Sequence, residues 1–388
     1  RAMERCRQHR AGTLLDSDPA RALLHCGSMF AGLSLWRGRY DRTFKWLEHL
    51  HWLRRRPGSP RPLSLETGQL MSSVVEASIG SEWKLRHDVE QLRYLARRPR
   101  RQQVSPYAPL AAPDFANNLA DGAANLLEIF RSAGEDAAKA AVSEDGTLAA
   151  LRPYLDRALH VPHLERLESG ALETRSWDKF EDTFLKENVA FLDDALTPKA
   201  LQVLTDHFLE ATVWYTPMAG GSYLRAHLLD GLHAELLLQL GAELAHRMPK
   251  ALGPHRLNSI YAHKYDPDSP HPGLGVHSLP AAIALCLWTT PDVASLKKQG
   301  NGLEIFNASG DGMTAAARHS WRPKFEDDLP KQQRISKTSG SRIIPYKRNR
   351  LVLWRGERFF RTDWTSQSWR GGYKHRRVDL WLLYGDPI

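Results

Sequence analysis

The stretch Gly372-Tyr-Lys-His-Arg-Arg-Val-Asp-Leu-Trp-Leu-Leu-Tyr-Gly385 decides how the C-terminal half of this chain folds. From Arg376 to Tyr384 it is dense in aromatic, leucine and β-branched side chains, which suit a pleated surface, and glycines bound it on both sides. Five earlier segments read the same way: Ser259–Tyr265, Ala281–Thr289, Leu303–Phe306, Ile343–Pro345 and Leu351–Trp354. Turns rich in Gly, Pro and Asn separate them. Six short strands after Pro254, without clear helices between them, predict an antiparallel sandwich or barrel.

Upstream of Pro254 the apolar period changes to that of helices. Tyr223 to Met248 reads as one helix with Leu229, Leu232, Leu236, Leu240 and Leu244 on its core face, opened by Ala219-Gly220-Gly221-Ser222. From Ala20 to Arg56, Leu23, Met29, Leu33, Trp36, Phe44, Leu47 and Leu50 recur at helical spacing; Gly38 breaks the run and Pro57 ends it, which predicts a helical hairpin. Leu70–Pro99 repeats the plan. Two such hairpins resemble tetratricopeptide-type repeats, although a stable solenoid normally needs at least ~3 units. Prolines 106, 109 and 113 mark a linker. The expected class is α+β: helical hairpins over 1–100, a linker over 101–115, a helical connecting region over 116–190 and a sheet domain over 191–388.

A hydrophobic fraction of 42% with 25% charged residues excludes wholesale disorder in this chain of 388 residues. No apolar run reaches the ~18–20 residues of a membrane-spanning helix. Cys6, Cys26 and Cys286 lie far apart in no C-x-x-C spacing, which argues against a disulfide framework and a cysteine zinc site. The expectation is a reducing intracellular compartment, cytoplasm or organelle matrix, and no signal-peptide-like apolar segment opens the sequence. The net charge of +9 is uneven: residues 1–110 carry 20 basic and 10 acidic side chains, 111–330 carry 19 and 30, and 331–388 carry 14 and 4. Such a chain can fold its ends against its middle or present them to RNA, anionic lipid or an acidic protein. Arg54, Arg55, Arg56, Arg97, Arg98, Arg100 and Arg101 form the densest runs, read either as solvated helix ends or as RNA contacts. Tryptophans beside arginines (Trp36/Arg37, Trp354/Arg355, Trp369/Arg370) suit interfaces with other protein subunits.

Seven segments carry a family resemblance. They are Phe191-Leu-Asp-Asp-Ala-Leu-Thr-Pro-Lys-Ala-Leu201, Ile260-Tyr-Ala-His-Lys-Tyr265, Gly275-Val-His-Ser-Leu-Pro-Ala-Ala282, Leu287-Trp-Thr-Thr-Pro-Asp292, Asn301-Gly-Leu-Glu-Ile-Phe306, Ile344-Pro-Tyr-Lys-Arg-Asn-Arg350 and the opening stretch. Their order and spacing resemble the prolyl-hydroxylase-like branch of the iron(II)/2-oxoglutarate dioxygenases. The resemblance implies a double-stranded β-helix, or jelly roll, preceded by helices. It also implies an iron on two histidines and a carboxylate, with positions left open for 2-oxoglutarate and oxygen.

Residue by residue, the resemblance puts the first histidine at His277. The carboxylate position falls on Leu279, and the distal histidine position on Phe360 within Arg358-Phe-Phe-Arg-Thr-Asp363. Loss of one anionic and one imidazole ligand exceeds the ~10–100-fold cost of changing a mere supporting group. On the cosubstrate side Arg376 matches the family's 2-oxoglutarate arginine, and Tyr265 a hydroxyl that helps hold the same ligand. Each has a structural alternative: an ion pair with a middle-segment acid for Arg376, sheet packing for Tyr265. A substitute metal site would draw on His263, His271, His319, His375, Asp266, Asp268 and Asp363. No G-x-S-x-G, H-E-x-x-H, Walker A or G-x-G-x-x-G pattern appears. The sequence therefore reads as a non-catalytic dioxygenase-like protein without cofactor and with a structural or protein-binding role. The alternative is an active Fe(II)/2-oxoglutarate oxygenase with a rearranged metal site.

Overall fold

The computed structural model describes residues 19–55, 81–98, 113–174, 177–218, 223–269, 273–297, 300–309, 329–362 and 369–385. Among the described residues, ten strands form two antiparallel sheets. They are β1 (Val189–Leu192), β2 (Thr216–Pro217), β3 (Tyr223–His227), β4 (Arg256–Tyr265), β5 (Ile283–Trp288), β6 (Leu303–Ser309), β7 (Ser341–Ile344), β8 (Leu351–Arg355), β9 (Arg358–Thr362) and β10 (Val378–Gly385). The larger sheet runs β1-β8-β5-β10-β4-β3-β2 and the smaller β7-β6-β9. Beside β9, His277 adds a one-residue bridge: its N–H donates to the Phe360 carbonyl at 3.0 Å, and the Phe360 N–H donates back at 2.8 Å. From β4 onward the chain passes back and forth between the sheets, which is the jelly-roll plan. All six expected strands are present.

β10 lies between β5 and β4 and is buried along its whole length, which explains its nearly continuous apolar sequence. Val378, Leu380, Leu382 and Tyr384 face outward to the helices, whereas Trp381 and Leu383 face the smaller sheet. The outward face is covered by α1 (Pro19–Trp36), α2 (Tyr40–Arg55), α6 (Pro198–Glu210) and α7 (Glu235–Arg247). Ala31, Leu35, Leu47 and Leu50 of the first two helices share one core with Leu224, Ile260, Leu285, Leu353 and Leu380 of the sheet. The hairpin is thus a layer of the barrel's own packing. Gly38, at φ 67°, makes its turn.

The second expected hairpin is described only in its second helix, α3 (Glu82–Arg97), where the Ser81 hydroxyl accepts from the Lys84 N–H at 3.3 Å. Its apolar face, Leu85, Val89 and Leu92, packs on Leu119, Ala123 and Leu126 of α4 (Pro113–Ala141), a helix interrupted at Gly134. The helix α4 begins inside the expected 101–115 linker, the rest of which lies outside the described residues. A short α5 (Asp178–Glu187) leads into β1, and α8 (Leu329–Thr338) precedes β7.

One reading is corrected. Tyr223–Met248 is not one helix but strand β3, a turn at Gly231 and then α7. The first five residues pair with β4 in the register Tyr223↔Tyr265 to His227↔Tyr261, so sheet pairing overrides the leucine periodicity. The run Ala219-Gly220-Gly221-Ser222, expected to open that helix, lies outside the described residues.

The uneven charge is resolved internally. Arg54 and Arg55 pair with Asp230, Lys84 with Asp156, Arg86 with Asp266 and Asp268, and Arg98 with Asp206 and Glu210. From the other end, Arg342 pairs with Glu187, Lys347 and Arg350 with Asp193, and Arg361 with Glu304. Basic ends fold against the acidic middle. No helix among the described residues is long and apolar enough to cross a membrane.

Candidate functional site

The space between the two sheets is where a jelly roll carries its chemistry, and strand parity decides which side chains enter it. β3 and β4 contribute Tyr223, Arg225, Tyr261, His263 and Tyr265; their neighbours Leu224, Ala226 and Ala262 belong to the outer core. β10 contributes Asp379, Trp381 and Leu383 by the same alternation.

His277 is 7% exposed and its Nδ1 donates to the Gly275 carbonyl at 2.8 Å. Burial, assisted by the nearby Arg225 charge, lowers its pKa to about 4 against the opposing Gly275 bond, so the ring is neutral at pH 7. The ring that meets it is Phe360, centroid to centroid 4.2 Å. Phe360 is fully buried among Trp354 and Trp381, at 5.1 and 5.5 Å, and Leu279 is packed into the same cluster.

These residues do not fit an iron centre. Leu279 and Phe360 bring hydrocarbon where the resemblance expects oxygen and nitrogen ligands, and hydrocarbon disfavours a hydrated dication. Arg225, 7% exposed, donates from Nε to His263 Nε2 at 3.3 Å, putting a guanidinium beside the remaining imidazoles. The indole N–H groups of Trp354 and Trp381 are buried with no acceptor among the described residues. Such donors call for an acceptor, not a cation. No group of three His, Cys, Asp or Glu able to hold a metal occurs among the described residues. Of the substitute set, His271, His319 and Asp363 lie outside them. His263 faces the inner space, Asp266 and Asp268 bind Arg86 on the other side of the sheet, and His375 contacts the Gly371 carbonyl through Nδ1 at 3.2 Å.

Arg376 points away from the inner space: its guanidinium contacts both Glu90 oxygens at 2.7–2.9 Å and Asp266 at 3.5 Å, and lies 4.2 Å from the Trp83 ring. The ion pair with Asp266 is the structural alternative weighed for it. A shift of one residue along a strand reverses the face. Arg377 is the one that enters the barrel. Its Nε donates to Asp379 Oδ1 at 2.7 Å and its Nη2 to Oδ2 at 2.8 Å, while Nη1 donates to the Asn301 carbonyl at 2.6 Å. Tyr265, fully buried, has its ring 5.2 Å from this guanidinium. Burial, the largest effect on each group, pushes the Asp379 carboxyl up against the pull of Arg377, while the carboxylate and its two-point contact hold the Arg377 guanidinium raised. Tyr265 thus sits beside a basic residue in the barrel, but that residue is Arg377. The alternation Arg377-x-Asp379-x-Trp381-x-Leu383 was the available signal.

The arginine runs divide. Arg54 and Arg55 are 2% and 1% exposed and bind Asp230, which removes them from any RNA-facing surface. Arg98 is tied to Asp206 and Glu210, Arg97 is exposed, and Arg56, Arg100 and Arg101 lie outside the described residues. The reading also missed Lys264, a fully buried lysine on the outer face. Its Nζ donates to the Phe208 carbonyl at 2.9 Å and lies 4.2 Å from the Trp214 ring; burial first, then Arg376, lowers its pKa well below the usual range. Next to it, a cleft runs between α3, α4 and Thr212–Tyr215, walled by Leu85, Leu92 and Leu119 and ending on Lys84, Asp88 and Asp156.

No family model matches the chain, and no curated protein matches it. Among solved structures, the chain is similar to an oxidoreductase of the 2OG-Fe(II) oxygenase family from Burkholderia pseudomallei, with 10% identity and a TM-score of 0.34 over 57% of this chain and 94% of that one. It is similar to a prolyl-4-hydroxylase from Pseudomonas putida, with 11% identity and a TM-score of 0.34 over 55% and 100%. A third is HygX from Streptomyces hygroscopicus, solved with nickel and 2-oxoglutarate, with 9% identity and a TM-score of 0.37 over 54% and 87%. Similarity at this level is of chain course; the inner residues decide the chemistry.

Proposed function

We propose that this chain is a non-catalytic, dioxygenase-like jelly-roll protein with a structural or protein-binding role, a basic subunit of a larger assembly. The observation that carries the reading is the inner face itself: Phe360 lies 4.2 Å from His277, and Asp379 takes up the guanidinium of Arg377. A hydroxylase needs open positions on a metal and a free cationic clasp for its cosubstrate. Protein partners are favoured over RNA because Arg54 and Arg55 are consumed internally, whereas Met29 and Leu33, one turn apart on α1, are 49% and 45% exposed.

The test is an anaerobic titration of the purified protein with Fe(II) and 2-oxoglutarate, counting tightly bound metal and following succinate on admission of oxygen. The expected result is sub-stoichiometric metal and no succinate. Stoichiometric iron with cosubstrate-dependent absorbance would establish the active oxygenase instead. A gel-shift series with generic RNA across salt is expected to show weak binding; a steep salt slope would restore the nucleic-acid reading.

A further inference from the structure

We infer that Arg377 forms a carboxylate-binding site inside the barrel which the chain fills with its own Asp379, closing the site to outside carboxylates. The inference deepens the non-catalytic reading and rests on it. The contact has the fork geometry by which a guanidinium takes any carboxylate: two parallel bonds of 2.7 and 2.8 Å. The surroundings are those of a built site. Arg377 and Asp379 are both fully buried, and the rings of Tyr265, Trp288 and Tyr346 stand 5.2, 5.5 and 5.6 Å from the guanidinium. Arg377 Nη1 donates to the Asn301 carbonyl at 2.6 Å, which fixes the guanidinium from its other side.

The position of Asp379 shows what it does. It stands on β10 two residues after Arg377, which immediately precedes that strand, so the pair joins no separate elements. Its effect is to satisfy a buried cation held in place by Asn301 and the rings. A cation so held requires an anion whether or not the anion is tethered. Removing the carboxylate group while keeping Cβ therefore leaves a preformed vacancy for a small carboxylate.

The experiment is chemical rescue of Asp379→Ala. Thermal unfolding is followed with sodium formate, acetate or chloride at equal ionic strength, for the parent protein, Asp379→Ala, and Asp379→Ala combined with Arg377→Met. The single variant is expected to melt below the parent and to regain stability saturably with formate and acetate, half-maximally on the order of 10 mM for so small a ligand, and not with chloride. The parent and the double variant are expected to show no carboxylate-specific gain. If Asp379→Ala does not fold, its refolding yield from denaturant is compared in the same salts, with soluble protein expected in formate or acetate alone. Equal effects of chloride, rescue that survives loss of Arg377, or no rescue by either measure overturns the inference. Succinate formation by the parent would overturn the non-catalytic reading and leave the rescue result standing, so the two failures are distinguishable.

Discussion

Arg376 and Arg377 are adjacent in sequence and serve opposite faces of one sheet, so their substitution has different consequences. Arg376 is held by Glu90, which is 30% exposed, and its loss leaves an acid that water can reach. Arg376→Met is expected to cost about 1–2 kcal/mol, within the ordinary range of point changes. Arg377→Met strands a fully buried Asp379 and is expected to cost about 3–5 kcal/mol. Denaturant unfolding of both variants measures the difference, and equal costs would mean that the inner pair is not the stronger anchor. At the same scale, Phe360→Ala removes the ring packed against His277, Trp354 and Trp381. An expected loss of about 3–5 kcal/mol, read from the same unfolding curves, checks that Phe360 is core; near-zero loss would indicate a loosely packed inner space.

At the scale of elements, the α1–α2 hairpin is tied to the sheet through one carboxylate. Asp230 ends β3's turn and receives Arg54 and Arg55, both fully buried, and those arginines hold its pKa below the usual carboxylate range against the effect of burial. Asp230→Ala leaves two buried guanidiniums and is expected to cost at least about 3–5 kcal/mol. Limited proteolysis should then cut the hairpin first; cleavage unchanged from the parent would show that apolar packing alone holds it. Next to it, Gly231 has φ 105°, and an added Cβ would come 2.7 Å from His51 Nε2. Gly231→Ala is expected to destabilise by more than ~1 kcal/mol, measured by thermal unfolding. These contacts also account for the misread helix. The leucines of residues 229–244 announced an apolar helix, but strand β3 before it was specified by pairing with β4, a partner more than thirty positions away in the register Tyr223↔Tyr265.

For the whole molecule, buried histidines set an acid limit. Burial lowers the pKa of His207 and His227 to about 4 and of His233 to about 3, with neighbouring histidines or arginines adding to the effect. The unfolded chain takes up protons near pH 6.5, whereas the folded chain resists them until about pH 3–4. The unfolded state therefore binds more protons in that window, and stability rises with pH through it and falls on acidification. By pH 5 the loss amounts to about 2 kcal/mol for each histidine as an upper estimate. Denaturant midpoints at pH 7.5 and pH 5 check this; a flat profile would show that these rings are hydrated.

The strands and the jelly-roll plan were legible because alternation, β-branching and turn residues are local properties of the chain. The apolar letters Leu279 and Phe360, at positions where the resemblance implies ligands, were legible in the same way. What the sequence alone could not decide was which of two adjacent arginines enters the barrel, because parity depends on the register of β10 against β4 and β5. Nor could it decide whether basic ends meet solvent or an acid, because Arg55 and Asp230 are separated by 175 residues and only the packed hairpin brings them together. Local patterns fix elements; partners for buried charges are chosen by the tertiary structure, where leaving a charge unpaired is too costly to persist.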